Sequence, residues 1–305
     1  MYKFIVVLFC TILSACGGST IEELHRVASS NTPDFIHKGE LLSPYELEAS
    51  PIVWNGELLY VVAYTNHEGV HTKIYRQSDK TLISDKITGL RFVSALVDNG
   101  TLHIFGTSQT TIVTMTTDNL VDWSEKRTIH TVSGGKIYNT SVAVDNLGYI
   151  LAYEICEPNK VCFNAKFLHS TDLVSWSAIG GTYEVGYYTA CPTIRYSDGF
   201  YYLFYLSNYV DRHNVNVGYF ATNVSRSADL ISWEFSPITV LSPLDGGDSM
   251  RNASDMDFIE LDGNLHIIYY NGSQYGIVNQ YAGLREANFA GTFSQFVAHF
   301  FTTTP

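Results

Sequence analysis

Three stretches, Thr117-Asp118 with Leu120 and Trp123, Ser170-Thr171-Asp172-Leu173 with Trp176, and Ser227-Ala228-Asp229-Leu230 with Trp233, are versions of one phrase. Each follows a run of strand-forming residues and precedes a new strand opened by a glycine turn. A phrase that returns roughly every 55 residues in a β-rich chain marks a radial repeat, most simply a β-propeller. Its local role is plain. Asp ends a strand in an Asx-type turn, Leu and Trp pack beneath it, and the chain reverses to begin the outermost strand.

Working outward, five copies of one hairpin precede, separate and follow these phrases. They are Ser50–Trp54 with Asn55-Gly56, Ser94–Val97 with Asn99-Gly100, Thr140–Val144 with Leu147-Gly148, Cys191–Tyr196 with Asp198-Gly199, and Asp257–Leu261 with Asp262-Gly263. Asn-Gly and Asp-Gly are strong hairpin signals because both central residues tolerate positive φ. Five hairpins with one or two further strands each predict an all-β, five-bladed propeller over residues 41–305. A two-sheet sandwich shares the alternation, but units of about 45–65 residues fit blades better. Blades running from the channel outward place the start of each first strand and the end of each second strand at one rim.

The composition agrees. The chain has 305 residues, 46% hydrophobic and 14% aromatic, with 21 Tyr and 17 Phe against 4 Met, which suits strands rather than a helical bundle. A net charge of −12 argues against nucleic acid or other polyanions and is compatible with a neutral or cationic small ligand. Lys3, the apolar run Phe4–Leu13 and Leu13-Ser14-Ala15-Cys16 read as a signal peptide over residues 1–15 ending in a lipobox, with Cys16 as the lipidated residue. The apolar run is too short to span a membrane. Residues 16–40 are then expected to be a tether, and the protein to be a monomer on a bacterial cell-envelope membrane, periplasmic or facing from the outer membrane. An ordinary signal peptide cut after Ala15 is the plainer alternative. Cys156 and Cys162 flank a hairpin-like turn and are expected to form a disulfide in an oxidising compartment, two free thiols being the alternative. Cys191, in an apolar run, reads as a core thiol.

The rim rule collects a set rich in hydrogen-bonding groups, as a sugar pocket would be. Before the first strands it gives Glu48, Ser50, Ser94, Asn139, Asp255 and Asp257; after the second strands it gives Glu154 and Gln274, among others. Asp255 and Asp257 are two apart in an extended segment and are expected on one face, with Met256 and Phe258 on the other. A structural Ca²⁺ would suit such a pair, but no EF-hand pattern accompanies it, and no other metal or cofactor is expected. Glu154 ends the apolar run Tyr149–Tyr153, an environment that raises a carboxyl pKa and suits a general acid. Arg195 lies inside a strand and needs either a pocket carboxylate or a substrate oxygen. His67, His71, His103 and His266 show no metal-ligand spacing.

At these residues the chain resembles the five-bladed propeller glycosidases of glycoside hydrolase families 43, 32 and 117, and most of all an uncharacterised group of glycosyl-hydrolase-like propellers. The likeness rests on the Ser-x-Asp-Leu-x-x-Trp phrase, on Cys191–Leu203, on Asn139-Thr140-Ser141-Val142, on Ala152-Tyr153-Glu154, and on Ser254–Phe258 followed by Gly272-Ser273-Gln274-Tyr275-Gly276. It implies a hydrolase acting on an oligo- or polysaccharide by carboxylate acid/base catalysis. The slots that hold the catalytic triad in families 43 and 32 fall here on Ser50, on Ser94 or Asn139, and on Ala190, so that triad is not carried over. The expected catalytic carboxylates are instead Asp257, Glu154 and Asp255, with Asn139, Arg195, Gln274, Ser50 and Ser94 binding substrate. A non-catalytic glycan-binding envelope lipoprotein is the alternative reading.

Overall fold

The computed structural model describes residues 31–44, 48–66, 69–160, 162–185, 189–210, 216–243, 252–272 and 283–301. β1 (His37–Pro44) comes first in the chain but belongs to the last blade. Blade 1 follows as β2 (Glu48–Trp54), β3 (Glu57–Asn66), β4 (Gly69–Arg76) and β5 (Leu82–Thr88). Blade 2 is β6 (Arg91–Asp98), β7 (Thr101–Ser108), β8 (Thr111–Thr117) and β9 (Arg127–Thr131). Blade 3 is β10 (Lys136–Asp145), β11 (Gly148–Cys156), β12 (Asn164–Ser170) and β13 (Ser177–Tyr183). Blade 4 is β14 (Thr189–Ser197), β15 (Phe200–Val210), β16 (Asn216–Ser227) and the short β17 (Glu234–Phe235). Blade 5 is β18 (Asn252–Leu261), β19 (Asn264–Tyr270), β20 (Gly283–Phe289) and, outermost, β1 antiparallel to β20. The one described helix, α1 (Phe293–Ala298), opens on a reciprocal capping box between Thr292 and Gln295.

The strands are apolar at successive positions because both faces of each sheet are covered. Ile150 and Ala152 of β11 enter the core shared with blade 4, whereas Leu151, Tyr153 and Ile155 enter the one shared with blade 2. In β3, Leu59 and Val61 face blade 2 while Leu58, Tyr60 and Val62 face blade 5. The period of two therefore separates two buried sides rather than core from solvent. Five such seams follow one another, and the seam of Ala49, Leu58, Tyr60, Val62, Ile268 and Leu284 joins blade 5 back to blade 1. The innermost strands β2, β6, β10, β14 and β18 each contact the next, β18 meeting β2, so the ring is closed. This is the expected five-bladed propeller.

Three details differ from the sequence reading. The described strands form four sheets, because Phe220 and Ala221 of β16 pair in parallel with Asn252 and Ala253 of β18 and join blades 4 and 5. The domain begins earlier than residue 41: β1 starts at His37 inside the expected tether and is part of the propeller. In the first copy of the repeated phrase the turn acceptor is Asn119, whose Oδ1 takes the Val121 and Asp122 amides, while Asp118 accepts the Thr101 hydroxyl. Asp172 and Asp229 play the Asn119 part in the other copies. Leu120, Leu173 and Leu230 then sit at φ 61°, 59° and 61° and drop into the seam with the preceding blade.

Candidate active site

The five hairpins can be aligned on the residue that closes each turn: Trp54, Asp98, Asp145, Ser197 and Leu261. Six residues upstream of these stand Glu48, Phe92, Asn139, Cys191 and Asp255. These five equivalent positions line one cavity at the mouth of the channel, with about 30 Å³ of free volume. Four residues upstream stand Ser50, Ser94, Ser141, Thr193 and Asp257. This inner ring fastens the blades together. Ser50 accepts the Ala95 amide and donates to Asp257 at 2.8 Å, Ser94 bonds Thr140, Ser141 accepts the Ile194 amide, and Thr193 donates to the Met256 carbonyl.

A bulge separates the two rings. β6, β10, β14 and β18 each carry one extra residue against their partner, between Arg91 and Ser94, Ile137 and Thr140, Ala190 and Thr193, and Ser254 and Asp257. Phe92, Cys191 and Asp255 adopt φ of 53°, 51° and 54°, uncommon for residues with a Cβ and typical of a strand re-aimed at a site. Strict alternation, which placed Asp255 and Asp257 on one face with one environment, is broken there. Asp255 turns to Cys191, whereas Asp257 is held inward by Arg195, Ser50 and its neighbouring Phe258 amide.

The outer ring is acidic and confined. Burial, the nearby Asp255 charge and an opposing bond from the Asn139 amide leave the Glu48 carboxyl at about 8. Burial also raises Asp255, against donation from the Cys191 thiol and the Ser254 hydroxyl. Glu154, only 3% exposed, lies behind Cys191 and accepts its amide at 2.7 Å. Burial takes its carboxyl to about 8, the Cys191 amide opposes this, and the charges of Glu48 and Asp255 add to it. Burial pushes the Cys191 thiol well up, and the three carboxylates push it further.

Of the residues expected to act, Asp255, Asp257 and Asn139 line the cavity and Glu154 lies immediately behind it. Glu154 is outside the lining, and the Asp257 carboxylate is bonded to Arg195, Ser50 and the Phe258 amide; the carboxyl oxygens that approach within 4.8 Å of each other are those of Glu48 and Asp255. Arg195 does not reach toward substrate: Nη1 donates to the Ile194 carbonyl and Ser141, Nη2 to Asp257 and the Phe258 carbonyl, and the guanidinium covers the Phe258 ring. Ser50 and Ser94 are buried in the inner ring, where their hydroxyls bond from blade to blade. Gln274 and Cys16 lie outside the described residues. Cys191 packs against the core cluster of Ala190, Leu206 and Phe220, as expected, and also lines the cavity; that second place, and the place of Phe92, was missed although the turn-anchored count of six finds both. Glu48, Cys191 and Asp255 have ligand atoms within 4.8 Å of one another, close enough to share a cation, but a thiol among them does not suit the oxygen-seeking Ca²⁺.

The sequence matches no protein-family model and no curated protein. Its fold is that of propeller glycosidases. An α-L-arabinofuranosidase from Podospora anserina, solved with cellotriose, superposes with a TM-score of 0.62 at 12% identity over 86% of this chain and 99% of that one. The catalytic domain of a family 62 α-L-arabinofuranosidase from Coprinopsis cinerea gives 0.61 at 10% identity, over 84% and 96%. A xylan β-1,4-xylosidase from Bacillus halodurans gives 0.60 at 15% identity, over 83% of this chain and 54% of that one, so the chain spans about half the length of that enzyme. Likeness at these identities is likeness of fold.

Proposed function

We propose that this chain is a glycoside hydrolase whose reacting carboxyls are Glu48 and Asp255. The observation that carries the reading is the convergence of these two acids, from equivalent positions of blades 1 and 5, on one cavity at the channel mouth. Their surroundings differ as an acid and its partner require. Glu48, at about 8, holds a proton at neutral pH and is the general acid. Asp255 accepts from a thiol and a hydroxyl, which favour its ionised form, and is the nucleophile. Nearest oxygens within 4.8 Å favour double displacement, since retaining enzymes hold their carboxyls about 5 Å apart and inverting ones about 6.5–9.5 Å. Glu48 gives its proton to the leaving oxygen as the C1–O bond breaks and Asp255 bonds C1. Glu48 then takes a proton from water, which attacks C1 and frees Asp255. Glu154 positions Cys191, and through it Asp255, without touching substrate.

The structural neighbours act on arabinofuranosides and xylan, so pentose-bearing oligosaccharides head the panel on which the purified protein is screened. Turnover with retention of anomeric configuration is expected, read by NMR of the first product. Binding without turnover would support the glycan-binding alternative, which the non-acidic Ser50, Asn139 and Ala190 favour. The lipobox supports a membrane-tethered lipoprotein; Cys16→Ala should move the protein to the soluble envelope fraction, and a variant that stays with membranes would refute the tether.

A further inference from the structure

Three aromatic side chains run outward from the cavity along the mouth of the channel. Phe92, at the start of β6, is part of the cavity wall. The Tyr138 ring stands 5.8 Å from it, one residue before the cavity residue Asn139, and the Phe163 ring stands 5.3 Å beyond that. Phe92 and Tyr138 belong to the starts of first strands and Phe163 to the turn between β11 and β12, so all three share one rim. They are half-buried, whereas the aromatic residues that build the seams of the same blades, Phe105, Tyr153 and Phe167, are 0%, 4% and 1% exposed. Two of the three are held at positive φ, 53° for Phe92 and 70° for Phe163, which a bulky side chain seldom adopts. Phe163 is fixed there from several sides. Its amide donates to the Ile155 carbonyl at 3.0 Å, its carbonyl accepts the Thr189 hydroxyl at 3.2 Å, and the Cys156–Cys162 bridge closes the turn just before it.

A sugar ring carries C–H groups on its faces and hydroxyls around its edge. Aromatic rings cover the first, and neutral hydrogen-bonding groups meet the second. Asn139 lies beside Tyr138, and the exposed Ser108 and Gln109 occupy the adjoining turn of blade 2, where the Gln109 carbonyl takes the Ile137 amide. Neighbouring rings of the row are tilted by 64° and 56°, so the row curves. Such a surface suits a chain whose successive rings turn relative to one another better than a flat fused ligand.

Resting on the glycosidase reading of the cavity, we infer that Phe92, Tyr138 and Phe163 form a track for the substrate's sugar chain, leading from the reacting carboxyls across the rim of blade 3. The substrate is then a chain with units beyond the bond that is broken, and recognition grows with its length until Phe163 is covered.

The test is a glycan array in which each pentose and hexose backbone is present as a ladder from the monosaccharide upward, probed with the full-length protein, with turnover measured on the same ladders. Retention by wild type should rise about tenfold with chain length and then level off. Tyr138→Leu with Phe163→Leu removes the aromatic faces but keeps an apolar side chain against Ala190, Leu206 and Phe220, and should abolish the gain with length. Tyr138→Phe with Phe163→Tyr, which exchanges the rings, should keep it. So should Leu147→Ala, 67% exposed in the hairpin turn at the opposite rim. Thermal unfolding confirms that each variant is folded. Retention that ignores chain length, or a gain that survives in the double leucine variant, would overturn the inference and, with turnover retained, leave the glycosidase reading in place. A gain with length but no turnover on any ladder would support the track and overturn the glycosidase reading. Retention of no glycan at all would overturn both.

Discussion

Asp255 and Asp257 are two residues apart and have different work, and substitution separates them. Asp255→Asn and Glu48→Gln remove the two carboxyls proposed to react, and each should lower kcat by roughly two to four orders of magnitude with folding intact. Asp257→Asn takes a charge from the half-buried Arg195, a loss on the order of 3 kcal/mol, and should appear first as a lower Tm. If Asp257→Asn kept the wild-type Tm but abolished turnover, the roles assigned to the two rings would be reversed. Glu154 gives a second residue-level prediction. Its carboxyl is raised from an ordinary value near 4.5 to about 8, so the folded state binds its proton more tightly than the unfolded chain does. Stability from this group is full below pH 4.5 and is lost as the pH rises through 8. Glu154→Gln, which keeps the shape without the charge, should flatten the fall in Tm between pH 5 and 9 and exceed wild type at pH 9. A wild-type Tm that rises across that window would contradict the raised carboxyl.

At the scale of the strand and turn, the blades were readable because their signals are local: Asn-Gly and Asp-Gly pairs set the hairpins, and Ser or Thr before Asp-Leu set the outer turn. The site was readable only in part. Alternation alone puts Asp255 beside Asp257, and nothing in two neighbouring residues announces the extra residue that parts them; that bulge emerges from register against β19, a non-local pairing. Arg195 was read correctly as needing a partner, but the choice between a carboxylate and a substrate oxygen depends on blade 5 lying alongside. The turn between β11 and β12 carries a prediction of its own. Cys156 and Cys162 come together across Glu157–Lys160 with Cα atoms 4.1 Å apart, and Lys160 and Lys166 both pair with Glu157 beside them. Mass spectrometry of exported, non-reduced protein should find the two cysteines in one linked peptide. So short a loop contributes on the order of 2 kcal/mol, and two alkylatable thiols before reduction would remove the bridge.

For the molecule as a whole, the cavity depends on ring closure, because Glu48 belongs to the first blade and Asp255 to the last. Two features hold that junction: the seam of Ala49, Leu58, Tyr60 and Val62 against Ile268 and Leu284, and the pairing of β1 with β20 from His37–Asn288 to Pro44–Gly283. β1 thus ties the N-terminal end of the propeller into its last blade, and just before it Ile36, 5% exposed, enters the core with Phe289 and Phe296. Without β1, the β20 edge would lie open with unpaired backbone groups and the junction would rest on a small apolar seam. A ring closed this way should unfold as one unit, unlike an open array in which terminal repeats fray separately. Its Tm should therefore report closure. Removal of residues 1–44 should lower it steeply and abolish any glycan binding, since Glu48 and Asp255 lose their fixed separation. Ile36→Ala, which keeps the strand and empties its anchor, should cost about 3 kcal/mol in a single urea transition. A second, earlier transition in that variant, reporting blade 5 alone, would show that closure is not cooperative and that the two carboxyls owe their spacing to something other than the ring.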